Sequence, residues 1–232
     1  MRKLITGWHV VMAAALTLLV AGSTRAQGFE EARIYIEYNE SDNDLGFHVA
    51  LDGEDWTDLK IIDPTGTKVF DVSGSGGYKR LGLTELFFEG AEPTLSEFPL
   101  EELLALFPEG EYRFVGKTVD NEKLESTAFL SHNVPAGPIV STRPVAAGGG
   151  SIEISWQPVT EAAAILPGRP IVVTGYQVIV GSFEVTVPAS VTRVTVPPEF
   201  YQSLPSGTQD FEVLSIDETG NQTITEGFFV KP

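Results

Sequence analysis

The sequence contains no cysteine. That absence removes disulfides, thiolate metal sites and cysteine nucleophiles together, so the domains must be held by their apolar cores alone. Histidine is almost as scarce: of three, His9 lies in the N-terminal segment, leaving His48 and His132 as imidazole bases. A serine hydrolase needs a base beside the nucleophile and a third group to orient that base, and so few histidines disfavour one. Positive charge is also thin, with 15 Lys and Arg against 32 Asp and Glu, a formal net charge of −17. Such a surface repels phosphate backbones and anionic lipid, because their affinity for proteins comes from neutralising basic groups. Nucleic acid is therefore excluded as a partner. Long hydrophobic runs are missing too: the uninterrupted apolar stretch from Val10 to Val20 is about half the ~20 residues that a spanning helix needs.

That short run sits between Arg2 and Lys3 on one side and Ser23-Thr24-Arg25-Ala26 on the other. A positive end, a short apolar middle and a small-residue exit are the parts of a secretory signal peptide, here residues 1–26 with cleavage after Ala26. Bacterial lipid attachment would need a cysteine at that point, so the expected product is a soluble secreted or periplasmic protein without a membrane anchor. Loss of Arg2, Lys3 and Arg25 leaves 12 basic residues against 32 acidic.

Composition shifts at Val134-Pro135-Ala136-Gly137-Pro138, where two prolines and a glycine separate runs of alternating apolar residues. This predicts two modules, 27–136 and 137–232. The first carries 23 acidic and 8 basic residues, the second 9 and 4. Period-two alternation, the mark of half-buried antiparallel strands, recurs in both. Ile34, Ile36 and Tyr38 share one face, as do Leu45, Phe47, Val49 and Leu51, then Tyr112 and Phe114. In the second module Ile152, Ile154 and Trp156 alternate with polar residues, followed by Tyr176, Val178 and Val180. Asp63-Pro64-Thr65-Gly66 and Asp120-Asn121 supply turns. One helix is expected: Leu100, Leu103, Leu104 and Phe107 fall at helical spacing between Pro99 and Pro108. The fold class is all-β, two tandem sandwiches, the first with one short helix.

Four features of residues 137–232 resemble a fibronectin type III domain. They are the proline before a first strand in Pro138-Ile139-Val140, the tryptophan in Ile154-Ser155-Trp156-Gln157-Pro158, the segment Thr174-Gly175-Tyr176-Gln177-Val178, and the corner Leu204-Pro205-Ser206-Gly207-Thr208-Gln209-Asp210-Phe211. The corner departs from the pattern in having Phe211 where a tyrosine is usual. Leu106-Phe107-Pro108-Glu109-Gly110-Glu111-Tyr112 repeats the corner with its tyrosine, which makes residues 27–136 resemble an Ig-like sandwich. Both resemblances imply fold alone, since such folds host many functions.

Chemical motifs are few. Ser73-Gly74-Ser75-Gly76-Gly77 lacks the first glycine of a nucleophile elbow and reads as a flexible hairpin loop. Gly116-Lys117-Thr118 lies in a strand pattern with the wrong glycine spacing for phosphate cradling. His48 alternates with Gly46 and Ala50 opposite Phe47, the position of a surface or edge histidine. Asn39, Asp42, Asn43 and Asp44 form an oxygen-rich loop without EF-hand spacing, which reads as a plain solvated loop with calcium binding the alternative; no other cofactor is expected. The long apolar connection around Ile165, Leu166 and Arg169 is expected to share an end of the second sandwich with the hairpin Asp217, Glu218 and Asn221, and loops on a rigid scaffold are where such modules bind. Ile165 and Leu166 read equally well as folding back to cover the core or packing against the first module. The expected function is non-enzymatic: display of these loops to a protein or glycan partner outside the cytoplasm. Two other readings are a spacer or self-associating envelope subunit, and an accessory carbohydrate-active enzyme using first-module carboxylates such as Asp42 and Asp44.

Overall fold

The computed structural model describes residues 28–146 and 150–232; the expected signal peptide, residues 1–26, lies outside them. Strand β1 (Glu31–Asn39) turns back through a tight hairpin into β2 (Asp44–Ile62). The register pairs Ile34 with Val49, Ile36 with Phe47 and Tyr38 with Leu45. All six are buried, so one face of this hairpin is core, as alternation requires.

At 19 residues β2 is long enough to serve two layers. Its first half also pairs with β4 (Leu83–Glu89), and its second half with β3 (Lys68–Ser73) and β5 (Gly110–Thr118), with register shifts around Trp56. β6 (Lys123–Leu130) completes the layer beside β5. Between the layers lie Trp56, Leu59, Tyr112, Phe114 and Leu124, none measurably exposed. The Tyr112 hydroxyl donates to the Pro108 carbonyl at 3.1 Å, which pins the corner where β5 begins.

The second sandwich sets β7 (Val140–Val145), β8 (Ser151–Trp156) and β11 (Arg193–Thr195) against β9 (Val173–Val180), β10 (Phe183–Pro188), β12 (Gly207–Asp217) and β13 (Gln222–Lys231). Its separate core is built on Ile154, Trp156, Tyr176, Val178, Phe211 and Val213. Phe211 fills the corner by packing alone: its ring lies over Gly227, where a Cβ would come within 2.4 Å of it.

Helices correct the expectation of a single one. The first module holds two, α1 (Gly76–Leu81) and α2 (Leu100–Leu106), and the second holds α3 (Pro198–Ser203). Residues read as a flexible hairpin loop, Ser73 to Gly77, instead end β3 and start α1. That helix is six residues long and buries none of them, so it has no apolar stripe for periodicity to detect. Gly82 ends it with φ +79, a conformation glycine adopts without strain. Among the described residues, no helix is long and apolar enough to cross a membrane.

The two modules share one ten-stranded sheet, in which β1 runs parallel to β13, Glu37 beside Gln222, Tyr38 beside Thr223 and Asn39 beside Ile224. This pairing covers the last three residues of the β1 edge that β2 leaves open, and with them part of the unpaired backbone of a sheet edge.

Candidate functional site

The loops expected to face a partner instead build the seam between the sandwiches. Ile165 and Leu166 pack against the first module's core, and Ala163 beside them is fully buried there. The connection is held down by an antiparallel bridge from Pro135 to Ala162 and by the Ala163 amide, which donates to the Val134 carbonyl at 2.8 Å. Arg169 donates to both Glu109 carboxylate oxygens and to Asn133 Oδ1. The His132 amide and Arg169 together outweigh burial and hold the Glu109 carboxyl below its usual range.

Asp217 is buried and caps its own turn, accepting from the amides of Thr219 and Asn221. Asn221 has no exposed surface and is bonded to three backbone groups in two segments of the first module. Its Oδ1 accepts from the Ile36 amide at 2.7 Å, and its Nδ2 donates to the carbonyls of Ser131 and Asn133 at 2.8 and 2.7 Å. Of the six residues, Glu218 alone remains exposed on the hairpin. An apolar loop and a polar hairpin at one end of a sandwich read equally well as a binding surface or as half of an interface; only the packed partner decides.

The oxygen-rich loop is a turn with its amide oxygens already engaged. Asn39 Oδ1 accepts from the amides of Ser41 and Asp42, and Asn43, in the left-handed region at φ 57, accepts from the Tyr38 hydroxyl. Burial raises the pKa of Asp44, helped by the charges of Asp42 and Glu226. Among the described residues, the atoms that do converge are elsewhere: one atom each from Glu37, His48 and Glu92, all within 4.8 Å of one another.

His48 is thus not a surface histidine; it is 3% exposed. It stands on β2 opposite Tyr35 of β1 and Glu89 of β4. It does point away from Phe47 and the first core, but that outer face is roofed. Tyr35 stacks on the imidazole with ring centroids 5.0 Å apart, and Phe87 leans on it at 5.9 Å. Neither ring nitrogen has a hydrogen-bond partner. Nε2 looks toward Glu37 Oε1 at 3.8 Å and Glu92 Oε1 at 3.6 Å, too far for hydrogen bonds. Burial lowers the imidazole pKa, against the opposing charge of Glu89.

Glu37 reaches this point because it lies opposite Gly46, two residues before His48 on the same face. The bare Gly46 backbone makes room for Glu92, whose side chain lies where a Cβ would come within 2.6 Å of it. Gln222 of the second sandwich donates to Glu37 Oε2 and leaves Oε1 facing the histidine. Burial, then the neighbouring carboxylates, push the Glu37 carboxyl up to about 6 against the Gln222 bond. Burial and contact with the Glu89 carboxyl push Glu92 to about 8.

Glu37 and His48 open onto a cavity of about 570 Å³. Arg33, Tyr35 and Phe87 line it from the first sandwich and Gln177, Glu184, Thr186 and Gln222 from the second. The shared sheet places these side chains on one face. A signal for half of this arrangement was present in the hairpin: a turn from Asn39 to Asp44 sets residue 35 opposite 48 and residue 37 opposite 46. Glu92, on a loop after β4, carried none.

No family model and no curated protein matches the chain. Among solved structures, a spore cortex lytic enzyme of Clostridium perfringens is 18% identical, with 43% of this chain and 28% of that one aligned at a TM-score of 0.31. A two-domain fibronectin type III segment of chicken tenascin is 15% identical over 88% of this chain and all of that one, TM-score 0.30. A bacterial ice-binding adhesin is 14% identical over 86% and 63%, TM-score 0.28. This chain therefore spans little more than a quarter of the lytic enzyme it matches. Superpositions this loose establish neither an activity nor a partner.

Proposed function

We propose that this chain is an exported, non-catalytic recognition protein that takes a protein or glycan partner in the cleft where its two sandwiches share a sheet, the second sandwich being of the fibronectin type III kind. The observation that carries this reading is the cavity at the junction, lined from both modules by aromatic rings, amides and carboxylates. Concave sites with an apolar floor and a few converging polar groups are where ligands bind. Phe87 is 58% exposed at its rim, and Gln177 is held by Glu184 and Thr186, so part of the polar lining is pre-oriented. The second sandwich supports its own assignment through its three-plus-four strand arrangement around Trp156 and Tyr176. Against catalysis, the other histidine, His132, has its ring bonded to the Phe107 carbonyl.

A second reading, a rigid spacer, is favoured by the linker. The Pro135 and Ala136 carbonyls accept from Thr223 and Ser215, and the Gly137 amide donates to Glu40, which ties the connection to both sides. The test is capture of defined glycans and envelope proteins by immobilised protein, compared with a Phe87→Ser, Gln177→Ala double variant. The recognition reading expects at least about a tenfold loss of capture in that variant. Equal capture by both proteins would remove the cleft from the function, and capture by neither would leave the spacer.

A further inference from the structure

We infer that Glu37, His48 and Glu92 form a binding site for one divalent transition-metal ion, with zinc the best fit. The site stands on its own residues and holds whether or not the cleft recognises a macromolecule.

Three observations converge on it. First, a histidine buried to 97% with neither ring nitrogen paired is an uncompensated polar group, and a native fold rarely leaves one without a reason. Second, the unpaired Nε2 is aimed at two carboxylate oxygens from different parts of the chain, at 3.6 and 3.8 Å. Ligand bonds of about 2.0–2.2 Å in a tetrahedral zinc site put neighbouring ligand atoms about 3.3–3.5 Å apart. The two imidazole–carboxylate distances therefore exceed the zinc spacing by only a few tenths of an ångström, and the two carboxylate oxygens lie within 4.8 Å of each other. Third, each ligand is oriented by a neighbour. Tyr35 and Phe87 hold the ring, Gln222 holds Glu37, and Gly46 leaves the space that Glu92 occupies. Supported ligands of this kind are usual around metals.

The donor set selects the ion. An imidazole nitrogen disfavours calcium and magnesium, which prefer oxygen, whereas one imidazole with two carboxylates suits zinc and its neighbours in the first transition row. Two carboxylates and a neutral imidazole also balance the ion's charge. A fourth position lies on the side of the cavity that Glu37 and His48 line, where water or a ligand atom can reach it.

The experiment is titration of the purified protein, free of any polyhistidine tag, with Zn2+ alone at pH 8. Bound metal is counted by equilibrium dialysis, and Co2+ is substituted to read the ligand field. One equivalent should bind, with the intense visible absorption of four-coordinate cobalt. Glu92→Gln, which leaves the buried histidine in place, should weaken binding at least tenfold, and His48→Ala more; Gln222→Ala should weaken it by about tenfold through the lost support of Glu37. Thermal unfolding of each variant without metal establishes that it folds, and Glu92→Gln serves if His48→Ala does not. Substoichiometric binding by the wild type would overturn the inference. So would binding that Glu92→Gln and His48→Ala leave unchanged, since that would place the ion among surface carboxylates.

Discussion

Asn221→Ala should both destabilise the protein and uncouple its halves. The side chain satisfies three first-module groups: the Ile36 amide, and the carbonyls of Ser131 and Asn133. Truncation strands the first two in a buried setting and the third in a partly buried one. A stranded buried group costs about 1–3 kcal/mol, and water entering near Asn133 recovers part of the third. The expected loss is about 3–5 kcal/mol, a large share of the ~5–15 kcal/mol that typically holds a domain together. Because all three bonds cross the seam, the loss should also separate the unfolding of the two cores. The molecule carries its own reporters, since Trp56 is buried in the first core and Trp156 in the second. Urea titrations followed by fluorescence, in single-tryptophan versions of residues 27–232 made with Trp156→Phe or Trp56→Phe, should give matching midpoints with Asn221 present and divergent ones with Asn221→Ala. A loss below about 1 kcal/mol with the midpoints still matching would refute the role assigned to this side chain.

Replacing Ile165 and Leu166 together with serine should lower stability by about 1–3 kcal/mol, because both half-buried side chains pack on the first core; an unchanged denaturation midpoint would return the loop to the surface. Tyr112→Phe should cost about 1 kcal/mol through its one hydroxyl bond to Pro108, measured in the same titration. The metal-free protein should melt at progressively lower temperature as pH rises from about 6.5 to 8. Glu37 and Glu92 have folded-state values of about 6 and about 8 against an ordinary 4.5. Over that window the folded chain holds protons that the unfolded chain releases, so stability present below pH 4.5 is lost as pH climbs. Below pH 6.5 the lowered pKa of His48 works the other way, because the unfolded chain takes up a proton there that the buried ring resists; the similar contribution of Asp58, lowered chiefly by the Ser73 hydroxyl, is lost only as pH falls below about 3.8. Glu92→Gln should flatten the upper part of the decline, which melting curves in chelator at each pH would show.

The sequence by itself determined the all-β class and much of the strand detail, because alternation is local: Ile34, Ile36 and Tyr38 face inward whatever lies beyond them, and the Tyr112 corner needs only its own four preceding residues. It determined the negative charge and the absence of thiol chemistry outright. Tertiary structure alone decided what the loops do. Ile165, Leu166 and Asn221 carry the same composition whether they meet solvent, a partner or another part of the chain, and the parallel pairing of β1 with β13 joins residues about 185 positions apart, beyond any local pattern. His48 shows the limit most plainly. Its alternation correctly set it opposite Phe47, yet whether that outer face was open depended on Tyr35, Phe87 and a second sandwich that no periodicity in β2 can report. Alternation assigns a side chain to a face of its strand; burial depends on what the rest of the chain lays over that face.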